Sequence, residues 1–95
     1  MFMIYQKSSP LTIENIVNSK INNVDFKNLK FGHVFTDYMF ECDYTEGSWV
    51  NPIIKPFGNL SISPASKVFH YGQAVFEGMK AYKDNQGKIW LFRPE

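Results

Sequence analysis

The chain has one cysteine, Cys42, and one arginine, Arg93, in 95 residues. A single cysteine excludes an internal disulfide and fits a reducing compartment, so a cytoplasmic protein is expected. Ten basic and nine acidic residues leave a net charge of +1, and no Lys/Arg cluster exceeds two. Binding to nucleic acid needs a concentrated basic field to neutralise phosphates, and none is present. No apolar run approaches the ~18 residues of a membrane span, and Met1–Tyr5 is too short for a signal-peptide core, so no membrane partner is expected. There is no HExxH, no Cys/His pair at metal spacing, no GxGxxG and no P-loop. His70 and Glu77 would share a helix face seven residues apart, but two ligands do not make a metal site.

Aromatic residues are abundant. Nine phenylalanines, five tyrosines and two tryptophans make 17% of the chain. Such a load needs partners or a pocket to fill. The length suits one domain or a piece of a larger one. Phe92-Arg93-Pro94-Glu95 follows directly on a closing hairpin pattern, so the chain is expected to be the front part of a longer protein.

Residues 2–6 read as a short edge strand that Ser8-Ser9-Pro10 breaks. Beyond Pro10, Ile13, Ile16, Val17, Ile21 and Val24 recur at three- and four-residue steps, which predicts a helix capped by Ser9. Residues 1–25 are thus an N-terminal extension or short helix. The run from His33 to Tyr44 predicts a strand, with Val34, Thr36, Tyr38, Phe40, Cys42 and Tyr44 on the core face. Phe35 and Met39 then lie among His33, Asp37, Glu41 and Asp43, where they either line a cleft or meet another layer. Thr45-Glu46-Gly47-Ser48 reads as a turn. Residues 48–58 are extended, and Pro52 and Pro56 point to an edge strand or a covering loop. Leu60 and Ile62 begin another short strand.

Ser63-Pro64 resembles a helix start, with a helix from Ala65 to about Glu77 and Gly78 as its stop. Gly72 either breaks that helix or lets something approach its backbone. Met79–Lys83 and Lys88–Phe92, joined by Asp84-Asn85-Gln86-Gly87, predict a β-hairpin. Tyr71 and Phe76 are either core aromatics or walls of an apolar pocket with the Tyr71 hydroxyl as polar handle. Lys80 invites Schiff-base chemistry, but a lysine in a strand pattern is more often solvated. Taken by themselves, the residues reach a pocket-capable α+β domain with no identifiable catalytic group.

Four segments carry a resemblance: Phe31-Gly32-His33-Val34-Phe35-Thr36-Asp37-Tyr38-Met39, Leu60-Ser61-Ile62-Ser63-Pro64, His70-Tyr71-Gly72-Gln73-Ala74-Val75-Phe76-Glu77-Gly78-Met79-Lys80-Ala81-Tyr82 and Leu91-Phe92-Arg93-Pro94. In order and spacing, from about Phe26 to Glu95, they resemble the N-terminal part of a branched-chain amino acid aminotransferase, a class-IV, fold-type IV pyridoxal-phosphate enzyme. The first segment points to the branched-chain subgroup over D-amino-acid aminotransferases and aminodeoxychorismate lyases. A truncated, non-catalytic domain is the remaining alternative.

The resemblance implies an α+β domain, mainly antiparallel sheet with one or two short helices, over residues 26–95. A larger domain absent from this chain would follow, with cofactor and substrate between the two and a homodimer as the assembly. It implies Phe35, Tyr71 and Phe76 as substrate-binding residues. The family's Schiff-base lysine lies far downstream and its phosphate-binding arginine just past Arg93-Pro94. The resemblance therefore assigns no catalytic and no cofactor-binding residue to this chain, and Lys80 matches a non-catalytic position. Branched-chain amino acids and 2-oxo acids are the implied small-molecule partners, pyridoxal 5'-phosphate the implied cofactor, and branched-chain amino acid biosynthesis the implied setting.

Overall fold

The computed structural model describes residues 10–92. The predicted strand over residues 2–6, the Ser9 cap and Arg93 lie outside the described residues. The chain divides into two units, Met1–Leu60 and Ser61–Glu95. The expected class holds: α+β, mainly strands in two sheets, with one short α-helix.

The first unit is built on a hairpin. Strand β2 (Tyr38–Thr45) runs antiparallel to β3 (Ser48–Pro56), from Tyr38 opposite Pro56 to Thr45 opposite Ser48. Tyrosine, phenylalanine, tryptophan, isoleucine and threonine stock both strands, and such residues suit a pleated, half-covered surface. The two-residue turn has Glu46 at φ 50° and Gly47 at φ 80°. Two positive φ values mark the tight turn whose twist matches that of the strands. The predicted turn is thus in place, and Gly47 supplies a conformation that other residues resist.

The ladder shifts register beyond Glu41. Glu41 faces Ile53 and Asp43 faces Val50, so Asn51 and Pro52 both lie opposite Cys42. Asn51 takes φ 54°, and the Cys42 Sγ donates to the Val50 carbonyl at 3.3 Å. This bulge corrects the edge-strand expectation for residues 48–58. A two-residue strand β1 (Thr12–Ile13) pairs in parallel with Ile53 and Ile54, so β3 is the middle strand. Pro52 sits in the bulge and Pro56 at the strand end, where a missing N–H costs no central rung.

The helix predicted beyond Pro10 does not form. Residues 10–24 contain β1 and one 3-10 turn, Ile21–Asn23. Isoleucine, valine, threonine and asparagine are poor helix formers, and β3 offers the backbone an alternative: Glu14 N–H donates to the Ile54 carbonyl at 2.8 Å. The predicted core face of the early strand is also corrected. Tyr38 and Cys42 on the predicted face are half-buried but Phe40 is 60% exposed, and Asp37, Met39 and Glu41 on the other face are half-buried as well. Among the described residues no hydrophobic side chain is fully buried. Neither face is sealed by a second layer within this unit, so alternation alone did not choose an inside.

In the second unit, Ser63 organises a turn rather than a helix start. Its Oγ accepts from Ala65 N–H at 3.1 Å and its carbonyl from Ser66 N–H at 3.0 Å. The helix predicted over 65–77 is one turn, α1 (Lys67–His70). Gly72 ends it with φ 60°, and Gln73 to Lys80 have no regular structure. The stop therefore comes at Gly72, not Gly78, and Leu60 and Ile62 form no strand. The predicted hairpin is present as β4 (Ala81–Lys83) and β5 (Ile89–Leu91), paired antiparallel with Tyr82 opposite Trp90. Asp84 closes its loop. Its Oδ1 accepts from Gln86 and Lys88 N–H at 2.9 and 2.8 Å, and its Oδ2 from the Trp90 indole N–H at 2.9 Å.

Candidate substrate-facing site

The first unit carries a cleft of about 440 Å³ just before β2. Ile21, Val24, Phe26, Leu29, Val34 and Phe35 make its apolar walls, with Asp37 and Lys20 at its polar end. Apolar walls with a few placed polar groups are what small-molecule sites require. Phe35 is 56% exposed and stacks on Phe57, with ring centroids 4.9 Å apart and planes inclined at 13°. The strand pattern left open whether Phe35 lined a cleft or met another layer. In this unit it walls the cleft, and its ring lies against Phe57 just past the end of the neighbouring strand β3 rather than against another layer.

Asp37 holds the two sides of that cleft together. Its Oδ2 accepts from the Ser19 hydroxyl at 2.6 Å and its Oδ1 from Lys20 N–H at 3.0 Å. Ser19 Oγ in turn accepts from Ile21 N–H at 3.1 Å, which fixes the start of the 3-10 turn. From its backbone, Asp37 offers its carbonyl to Phe57 N–H at 2.9 Å. These bonds favour the ionised carboxylate. The Ser19 hydroxyl first, and then the Lys20 amide, hold the Asp37 pKa below its ordinary value. A further tie joins Ile16 N–H to the Tyr38 hydroxyl at 3.2 Å.

Asp37 and Phe57 are functional candidates that sequence reasoning passed over. Asp37 read as one of several charges on an exposed face. Its partner Ser19 lies 18 residues away, and no local pattern signals such a pairing.

Tyr71 and Phe76 belong to the second unit. Tyr71 follows α1 directly and Phe76 lies in the irregular stretch after Gly72. They are 78% and 94% exposed. Neither is buried within its unit, where no described hydrophobic side chain is. Lys80 is exposed just before β4. Among the described residues no group of three His, Cys, Asp or Glu side chains could hold a metal ion. Among them, too, no helix is long and apolar enough to cross a membrane.

No family model matches the chain. Comparison with curated proteins identifies aminotransferases. The chain is 56% identical over 72 residues to branched-chain-amino-acid transaminase 1 of Bacillus subtilis (strain 168), a match covering 75% of this chain and 20% of the relative. It is 42% identical over 92 residues to the cytosolic branched-chain-amino-acid aminotransferase of Caenorhabditis elegans, covering 96% of this chain and 22% of the relative. It is 45% identical over 89 residues to the branched-chain-amino-acid aminotransferase of Monosiga brevicollis, covering 92% and 22%. By sequence the chain is similar to the branched-chain-amino-acid aminotransferases, and it spans about a fifth of the length of the curated relatives it matches.

Proposed function

We propose that the chain is the N-terminal, small-domain part of an aminotransferase that moves the amino group of leucine, isoleucine or valine to 2-oxoglutarate with pyridoxal 5'-phosphate. Residues 26–95, together with Lys20, Ile21 and Val24 of the segment before them, supply substrate enclosure and side-chain choice. Phe35, Tyr71 and Phe76 are the substrate-facing residues. The observation that carries this reading is the 42–56% identity to enzymes so named, over 75–96% of the chain.

The described residues do not fit the cofactor-bonding role. A lysine that bonds a carbonyl cofactor is activated by desolvation or by a neighbouring cation. Every described lysine except Lys55 is exposed, and Lys55 is ion-paired with Glu41 at 2.9 Å. Residues 10–92 are therefore assigned no bond to the cofactor and no proton transfer. By itself this part is inactive. The complete enzyme is proposed to be a cytoplasmic homodimer that serves branched-chain amino acid biosynthesis, and the single free cysteine is compatible with that compartment.

The test is to express the complete reading frame and assay leucine with 2-oxoglutarate beside D-alanine and aminodeoxychorismate. Leucine is expected to be preferred. A preference for either of the others assigns the protein to another class-IV activity and overturns this reading. In parallel, the 95-residue chain is incubated with pyridoxal phosphate and reduced with borohydride. No covalent adduct at a specific lysine is expected, and a stoichiometric adduct at Lys80 would refute the role given to that residue.

A further inference from the structure

We propose that Asp37 is a positioning residue for the Phe35 wall and thereby sets the preference for branched aliphatic side chains. The inference rests on the reading of Phe35 as substrate-facing.

Asp37 is the point where three pieces of the first unit meet. Its carboxylate takes the Ser19 hydroxyl and the Lys20 amide, and Lys20 and the adjoining Ile21 line the same cleft as Phe35. Its carbonyl takes the Phe57 amide, and the Phe57 ring is the surface on which Phe35 stacks. Phe35 is two residues before Asp37 in the chain and precedes the first ladder pair, Tyr38 with Pro56. No strand pairing fixes its backbone. With Phe35 56% and Phe57 45% exposed, burial restrains the rings only in part. Charge-assisted hydrogen bonds are the stronger kind, and here two converge on one carboxylate. Removing that carboxylate frees Ser19, Lys20 and the start of the 3-10 turn together. It loosens the cleft that Ile21 and Phe35 both line without touching either side chain.

An apolar wall serves an aliphatic side chain and gives little to a carboxylate-bearing one. A displaced Phe35 therefore lowers turnover of leucine more than that of glutamate. Asparagine at this position can still accept from Lys20 N–H with Oδ1 while Nδ2–H donates to Ser19 Oγ, so the tether survives with one bond reversed.

The test uses the complete enzyme, with leucine and glutamate as amino donors. Asp37→Ala is expected to lower kcat/KM for leucine about tenfold, mainly through KM, and for glutamate less than about threefold. Asp37→Asn is expected to stay within about threefold of the unsubstituted enzyme for both donors. In a Phe35→Ala background, Asp37→Ala is expected to add less than about twofold for leucine, because the wall it positions is gone. Glutamate turnover reports that the variants fold. Equal losses for both donors, or full additivity with Phe35→Ala, overturn the proposal while the functional reading stands. An unsubstituted enzyme with no leucine activity overturns the functional reading and the proposal with it.

Discussion

Expressed alone, the 95-residue chain is expected to lack a cooperative unfolding transition. Among the described residues no hydrophobic side chain is fully buried, whereas a domain that folds by itself keeps a core of such residues. Burying one large apolar side chain contributes about 1.5–3 kcal/mol. Half a dozen large rings left exposed therefore forgo roughly 10–18 kcal/mol, as much as the 5–15 kcal/mol net stability of a typical domain. The exposed set includes Phe26, Phe31, Trp49, Phe69, Phe76 and Trp90, so large rings dominate it. A urea titration read by Trp49 and Trp90 fluorescence, with near-UV circular dichroism and sedimentation, tests this. A gradual change is expected, with an apparent slope below about 1 kcal/mol/M, and weak near-UV signal. A monomer that unfolds in one sharp step, with a slope of a normal domain of this length, would show that the exposed rings are not a shortfall in packing and would refute the reasoning.

Three further outcomes are expected. In the complete enzyme, Phe76→Ala should lower kcat/KM for leucine about 10- to 100-fold and for glutamate less, and equal losses remove Phe76 from the specificity role. The second-unit hairpin should loosen in acid. The Trp90 indole first, then the Lys88 amide, hold the Asp84 pKa below its ordinary value. A lowered carboxylate pKa stabilises the structure above the unfolded value of about 3.9 and loses that contribution as pH falls through the lower native value. The Trp90 indole N–H resonance should therefore shift below about pH 4 and not between pH 5 and 7, and Asp84→Asn should abolish that titration. Finally, Gly47→Val should destabilise the complete protein by about 1–2 kcal/mol, because φ 80° is left-handed for a side chain that branches at Cβ. Gly58→Ala, where φ is ordinary and the nearest atom to an added Cβ is 3.9 Å away, should cost less, and the two melting temperatures decide it.

Much of the local structure was legible in the chain. The Glu46-Gly47 turn and the Asp84–Gly87 loop are written in residues that tolerate or require positive φ, and the strands beside them in residues that suit a pleat. Both are contacts between near neighbours in sequence, so local chemistry suffices. The His70–Tyr82 run identified the family at a specificity no periodicity could reach. In the first unit, where prediction failed, a distant segment outbid a local preference. The stripe from Ile13 to Val24 has helical spacing, yet its backbone bonds go to Ile54 and to the Asp37 carboxylate. Pro52 argued against a middle strand, yet the bulge opposite Cys42 absorbs it.

The sequence alone determined the turns, the second hairpin and the kinship with branched-chain-amino-acid aminotransferases, because each depends on residue identity over a short stretch. Only the tertiary structure decided that β3 is the middle strand and that Phe35 stands on Phe57 beside a cleft tied by Asp37. Those depend on which backbone and side-chain donors reach one another across 17 to 20 residues or more, and the order of residues does not show that until the chain is folded.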